Sequence, residues 1–283
     1  MESTADQSAV RYLDATGQSA KGMLDMFQRL LNLNIASLRS ADPYLQSHPM
    51  PLDRIRNLER AAKASPNFTK TDPPGLVLRH ELMQAKLEGF IAKPQETFRR
   101  YPLSDNSLPA RYARAIAYFR QGDLRKSLPV IDGLIAEVPQ NPYFWELKGQ
   151  ALLEGGHPRE SVAPLRQAVK LLPSSGLLQM LLAQALVGSE QRDDAQAALA
   201  ALRSARKSEG DSPGLYRYMA MAYGQLGDVP RAELATAEAA FRTGDRELAS
   251  EKARVALKSF KTGSPEWLRA NDILNFSARE NDG

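Results

Sequence analysis

The stretch NPYFWELKGQALLEGGHPRESVAPLRQAVKLLP, residues 141–173, decides the fold. Within it Trp145 is followed by Gly149, Leu152 and Gly156, and then by Ser161, Leu165, Ala168 and Pro173. A large residue, a small one four later, an apolar one three further on and a turn glycine thus precede a second small-and-apolar series. Apolar positions at three- and four-residue steps on both sides of Gly155-Gly156 describe two amphipathic helices joined by a short turn. Gly149 and Ala168 allow the two helices to approach closely. Gly156 ends the first of them in a backbone conformation that a β-carbon resists.

Moving outward, the unit recurs. Pro139 and Pro173, Gly122 and Gly156, and Ala115 and Gly149 are each 34 residues apart. A fixed period of this length is the signature of stacked helical repeats. A first unit, about 108–141, fits with Ala115, Tyr118, Gly122, Ile131, Leu134 and Pro139. A third, about 176–209, keeps Leu182, Ala183, Leu186, Ala195 and Leu199 but has Glu190 in the glycine place and Lys207 in the proline place. After the breaker Gly210-Asp211-Ser212-Pro213 the rhythm returns with Tyr216, Ala220, Tyr223 and Gly227, and Gly244-Asp245 follows half a repeat later. Ser264-Pro265 then starts a last helix, with Trp267, Leu268 and Ile273 placed to close the stack. The pattern resembles the tetratricopeptide repeat, which implies an all-α, right-handed solenoid from about residue 76 to the end.

Upstream the rhythm differs. Six prolines between Pro43 and Pro74 mark a junction that encloses a short helix at Leu52 to Ala64, with a longer helix from Leu76 to Ile91. Two amphipathic helices precede it, from about Ser3 to Ala15 and from Lys21 to Leu31, broken at Gly17. The expected organisation is terminal helices at 1–42, a proline-rich junction at 43–75 and the solenoid at 76–283.

Composition narrows the function classes. The 283 residues contain no cysteine, which removes disulfide scaffolds, Cys-ligated zinc and thiol nucleophiles. The 37 Lys and Arg against 33 Asp and Glu are spread without blocks of one sign, which argues against a nucleic-acid footprint. The longest apolar stretch, Leu177 to Val187, is interrupted by Gln179 and Gln184 and falls short of a membrane span. His80-Glu81 opens a would-be H-E-x-x-H helix, but Gln84 stands where the second histidine belongs, so the zinc-protease motif fails there. His157, after Gly155-Gly156, reads as an exposed turn residue.

Two N-terminal strings carry more. Glu2-Ser3-Thr4-Ala5-Asp6 opens a helix with two carboxylates one turn apart, an arrangement that also suits the helix dipole. Ser47-His48-Pro49-Met50-Pro51-Leu52-Asp53-Arg54-Ile55 follows in the junction. With the repeats behind them, these strings resemble the C-terminal half of bacterial zinc metallopeptidases of the HtpX-like, gluzincin type that carry a tetratricopeptide tail and act in the periplasm on outer-membrane protein assembly and quality control. The resemblance implies that Glu2 is the third zinc ligand and Asp6 the carboxylate that orients the active-site histidines. It matches His48, Pro49, Pro51, Arg54 and Ile55 to the family's H-P-x-P-x-x-R-I string.

His48 has two readings: a regulatory zinc ligand near the cleft, or a residue that shapes the loop into the helix at Leu52. No H-E-x-x-H occurs in the 283 residues, and one carboxylate cannot hold a catalytic zinc, so this chain in isolation should not hydrolyse peptides. Zinc is expected in the intact enzyme and not in this chain alone. The resemblance implies a peptidase core and a signal sequence upstream of these residues, hence a periplasmic location.

The repeats suggest what is bound. Positions 2, 5, 9 and 12 of each first helix should line a groove, which selects Tyr112 and Phe119, then Tyr143, Glu146, Gln150 and Leu153, then Leu177, Met180 and Gln184. Trp145 is expected in the core. Such a surface, apolar and aromatic with few amides, suits an extended apolar polypeptide and lacks the cations that grip a C-terminal carboxylate. Two functions follow: the partner-recruiting region of a periplasmic zinc peptidase acting on polypeptide substrates or an outer-membrane assembly complex, or a freestanding cytoplasmic adaptor whose N-terminal helices only cap the solenoid.

Overall fold

The computed structural model describes residues 2–36 and 52–279, which form fifteen helices and, among those residues, no strand. The chain divides into two compact units, residues 1–80 and 81–283.

In the first unit, α1 (Glu2–Ala15) and α2 (Lys21–Ala36) both pack on α3 (Leu52–Ala64). Val10, Leu24, Phe27, Ile55 and Leu58 form the small core. The break between α1 and α2 falls at Gly17, whose φ of 69° closes the turn while the Gln18 N–H donates to the Leu13 carbonyl at 2.7 Å. The side chain of Ser19 ties the start of α2 to the Phe68 carbonyl at 2.6 Å. Helix α4 (Pro74–Ile91) follows in sequence.

The second unit continues with α5 (Pro94–Arg100) and then a series of antiparallel pairs: α6 (Leu108–Arg120) with α7 (Leu124–Glu137), α8 (Pro142–Glu154) with α9 (Pro158–Leu171), α10 (Gly176–Gly188) with α11 (Arg192–Glu209), and α12 (Pro213–Leu226) with α13 (Val229–Thr243). Helices α14 (Arg246–Leu257) and α15 (Pro265–Arg279) close the series. This is the all-α tetratricopeptide-type solenoid the 34-residue period implies.

The starts are set locally. Ser107, Asp123, Asn141, Ser175, Asp228 and Asp245 each cap a helix by accepting a backbone N–H, and Pro142, Pro158 and Pro213 fill first-turn positions where the missing N–H is no loss. Ser264 caps α15 by accepting the Trp267 N–H at 3.2 Å. Ile273 is buried against the alanines of α13 and α14, whereas Leu268, expected to help close the stack, is half exposed.

Close approach within a pair is made by missing side chains. A β-carbon on Gly149 would lie 2.3 Å from Leu165 Cγ, so α8 and α9 meet at a distance only glycine permits. Ala168 is fully buried in the same contact layer. Between pairs, the first helices touch one another in sequence, α6 with α8, α8 with α10 and α10 with α12. Ala117, Ala151 and Ala185, fully buried and 34 residues apart on these helices, keep the side chains small there. The second helices α7, α9 and α11 make no comparable contact with the next second helix, so the pairs splay on that side.

The turns follow one rule with one exception. Gly122, Gly156, Gly227 and Gly244 all adopt φ between 74° and 84°. Glu190, in the glycine place of the third unit, takes the same left-handed conformation at φ 59°, and among the described residues it is the sole non-glycine to do so. Ser189 beside it is buried and bonded to the Leu186 carbonyl at 2.7 Å and to Asp194 at 2.6 Å, which holds the turn in place.

Candidate protein-interaction site

The first helices expose a row of side chains on the face where they adjoin. Tyr143 is 45% exposed on α8, Leu177 66% on α10 and Met221 53% on α12. Glu146, Gln150, Leu153, Met180 and Gln184, all selected from the repeat positions, are partly exposed. Lys86 of α4 reaches into this row, pairing with Glu146 at 2.6 Å while its ammonium sits 4.9 Å over the Tyr143 ring. Gln150 donates to Glu154 at 2.8 Å. The row is therefore adaptable and largely apolar, and the cation that α4 brings to it is already engaged by a carboxylate.

Two of the positions expected there are not surface residues. Tyr112 is 2% exposed and packs edge-on against Phe144, ring centroids 5.0 Å apart. Phe119 is buried and meets Phe90 in an edge contact at 6.3 Å. The reason is the helix that precedes the repeats: Leu82, Ala85 and Phe90 of α4 join the same apolar cluster and cover the groove positions of the first unit. Arg120 locks α4 down by donating to the carbonyls of Gly89 and Ala92 at its end. Burial, with the nearby Glu146 carboxylate and Tyr143, pushes the Tyr112 phenol well above its ordinary pKa, and its hydroxyl has no hydrogen-bond partner.

Phe119 nonetheless floors an opening. With Phe90, Leu124 and Ala151 it borders a cavity of about 520 Å³ rimmed by Gln150 and Glu154. Trp145 is partly buried against the first-unit cluster, its indole N–H donating to the Pro139 carbonyl at 2.8 Å. His157 stands ahead of α9, largely exposed and 3.6 Å from Glu160, and His80 is exposed on α4.

In the first unit the two N-terminal strings meet. Arg54 of α3 grips Asp6 of α1 with two hydrogen bonds, Nε to Oδ2 at 2.5 Å and Nη2 to Oδ1 at 2.8 Å, and reaches Glu2 at 2.9 Å. Its guanidinium also lies 5.2 Å over the Phe27 ring. Asp6 is 6% exposed. The Asp6 hydrogen bond outweighs burial and raises the Arg54 pKa further above its ordinary value. The E-x-x-A-D carboxylates and the R-I end of the second string thus form one cluster, α1 supplying acids one turn apart and α3 the fork that receives them. His48, Pro49 and Pro51 lie outside the described residues.

A zinc ion does not fit the described residues by themselves. Both carboxylates are turned to a guanidinium, and no group of three or more His, Cys, Asp or Glu side chains comes together among those residues. No chemical step is therefore assigned to a metal here.

Repeat positions did not point to a second polar knot near the other end. Glu238 of α13 is buried and receives Arg242 and Arg269 through short charge-assisted hydrogen bonds, including Nη2 of Arg269 at 2.9 Å. Burial pushes the Glu238 carboxyl up, but the two arginines together hold it below the ordinary carboxylate value. Arg242 stacks 4.0 Å from the Tyr216 ring. The signal available in the sequence was Glu238 and Arg242 four apart on a helix otherwise rich in alanine.

Residues 1–62 match the family model for peptidase family M48, and residues 122–234 match the model for the tetratricopeptide repeat. Among solved structures, a chain described as MamA MSR-1 C2 is similar with a TM-score of 0.47 and 15% identity, over 73% of this chain and 99% of that one. No curated protein matches the chain. The repeats imply protein–protein interaction, the N-terminal match over residues 1–62 is consistent with an association with a protease, and among the described residues no helix is long and apolar enough to cross a membrane.

Proposed function

We propose that this chain is the partner-binding, non-catalytic part of a periplasmic zinc metallopeptidase of the HtpX-like type, recruiting polypeptide substrates or an outer-membrane assembly complex. One observation carries the reading: a stretch matching peptidase family M48, in which Asp6, Glu2 and Arg54 lock together, is continuous in sequence with tetratricopeptide repeats. No H-E-x-x-H occurs in the same 283 residues, so the hydrolytic base and two zinc ligands come from another segment. In that enzyme Glu2 is the third ligand, Asp6 orients the active-site histidines and His48 is a regulatory ligand. The contact surface is the row of Tyr143, Leu177, Met180 and Gln184, where an extended apolar polypeptide gains aromatic anchors and adaptable methionine contacts.

The test is site-specific photocrosslinking in cells, with a photoreactive side chain at Tyr143 or Leu177 and a control at exposed Val255 on α14. Crosslinks from the first two positions to unfolded or assembling outer-membrane proteins, recovered from the fraction released by osmotic shock, are the expected result. Equal labelling from all three positions, or recovery of the protein only with the cytosol, defeats the reading and leaves a cytoplasmic adaptor.

A further inference from the structure

The splay of the second helices leaves a channel between α11 and α13, floored by one face of α12. Tyr216, Met219, Tyr223 and Leu226, spaced three and four apart, form that floor; the first three are core residues no more than 9% exposed, and Leu226 is partly exposed. Two cavities of about 270 Å³ and 480 Å³ lie side by side along it, both bordered by Tyr223 and Arg231. From Tyr216 to Leu226 the helix rises about 15 Å at roughly 1.5 Å per residue, the span of four or five extended residues at about 3.3 Å each.

The two walls differ in charge balance. On the α13 side, Arg231 is neutralised by Asp228 at 2.7 Å and by Glu266 of α15 at 3.1 Å, and Arg269 by Glu238. On the α11 side, Arg192, Gln196, Leu199, Arg203 and Arg206 follow one another at steps of four, three, four and three, so all five share one helix face along the channel. Among the described residues none of these three arginines has an ion-pair partner. Arg203 and Arg206, one turn apart, repel each other in the free protein. One wall is thus a row of unneutralised guanidiniums above an aromatic and apolar floor. The facing wall holds carboxylates that are already satisfied.

We infer that this channel binds an acidic segment of a partner polypeptide in extended form, its carboxylates on Arg192, Arg203 and Arg206 and its apolar side chains against Leu226, Leu234 and the narrow exposed edge of Tyr223. An extended chain turns alternate side chains to opposite sides, so one strand can offer acids to α11 and apolar groups to the floor. Guanidiniums match carboxylates in a fixed fork geometry, and low-dielectric walls strengthen the pairing. A nucleic-acid backbone carries charge on every unit and would meet Asp228, Glu238 and Glu266 on the opposite wall, which a one-sided acidic peptide avoids. The inference rests on the reading of the chain as a partner-binding module, but it uses the opposite side of the repeats from the Tyr143 row.

The test is fluorescence anisotropy on the full chain with a labelled ten-residue peptide of alternating glutamate and leucine. Wild type should bind it, with affinity falling as salt is raised. The double variant Arg203→Glu with Arg206→Glu should bind at least about tenfold more weakly, while Val255→Ala, at an exposed position away from both surfaces, should bind as wild type. Both arginines are exposed, so the fold should survive. If circular dichroism shows otherwise, Arg203→Gln with Arg206→Gln gives the same reading. Equal affinity in wild type and the charge-altered variant overturns the inference, as does tighter binding of single-stranded DNA or of an alternating lysine–leucine peptide. The two readings fail separately: loss of Tyr143 crosslinks with arginine-dependent peptide binding intact strikes the recruitment surface, and the converse strikes the channel.

Discussion

The two units of the chain are fastened by opposite means. In residues 2–80, three helices with a small apolar core are fastened chiefly by one residue, Arg54, which holds two carboxylates of α1 and covers Phe27 of α2's core face, while Ser19 and Ser65 add ties to Phe68 and Asp14. In residues 81–279 no single residue has that standing. Contact is repeated at intervals by glycine and alanine, with Gly149 against Leu165 as its tightest instance. A unit fastened chiefly by one residue should be most sensitive to its loss, whereas a unit held by nearest-neighbour contacts should yield by degrees.

The largest expected effect is therefore in the first unit. Arg54→Ala leaves Asp6 buried without its fork, a loss of about 3–4 kcal/mol. Both tryptophans, Trp145 and Trp267, lie in the second unit, so their fluorescence reports the repeats while far-ultraviolet circular dichroism reports both units. In urea the variant should lose its first unit early by circular dichroism with the tryptophan transition unmoved. A shift of both together would show that the units are not fastened separately.

Glu238 is the nearest thing to a polar knot inside the repeats, and it tests how far the contrast holds. Its carboxyl titrates below the ordinary value when folded, so its stabilising contribution is complete above about pH 5, and it is lost as pH falls below the ordinary carboxylate value of about 4.3 and through the folded pKa. Glu238→Gln should lower stability at pH 7 by about 2–3 kcal/mol, less than a fully buried pair because Arg269 is partly exposed, and should flatten the acid limb of the tryptophan-monitored stability curve. An acid limb equally steep in the variant would place the titrating group elsewhere.

Gly149→Ala comes next, at about 2 kcal/mol, since the new methyl must displace Leu165 from a packed layer. Adding Leu165→Val should return part of that loss. The double-mutant cycle then reads the coupling directly. Additive losses would mean that the close approach is not what the glycine provides.

Most of the fold was legible because repetition states it three times over: Gly149, Gly156 and Pro173 fix helix contact, turn and end, and their counterparts 34 residues earlier agree. The groove was only half legible. Periodicity gives the face of a helix but not what lies on that face, so Tyr112 and Phe119 read as groove residues until α4, which belongs to no repeat, is seen to cover them. The Arg54 cluster needed contacts between residues 48 positions apart, which no local pattern carries. The arginine face of α11 was written at steps of four and three all along, but a charged helical face is ordinarily solvated, and only the splay of α11 from α13 turns it into a channel wall.

The smallest effect exchanges the second and third turns. Gly156 and Glu190 occupy the same place in successive units and the same left-handed region, at φ 84° and 59°. For a residue with a β-carbon that region costs about 1–2 kcal/mol, while glycine adds about 0.4–1 kcal/mol of unfolded-chain entropy. Gly156→Glu should therefore destabilise by about 1 kcal/mol, and Glu190→Gly should stabilise by about 0.5 kcal/mol, raising the melting temperature by about 1–2 °C. The asymmetry follows from Ser189, whose bonds to Leu186 and Asp194 already hold the third turn closed, so glycine there relieves strain without forming any new contact. If Glu190→Gly instead destabilises, the glutamate side chain must contribute more than its exposed position suggests, and the third unit would be fastened by a singular residue in the manner of the first 80 rather than by the rule of its neighbours.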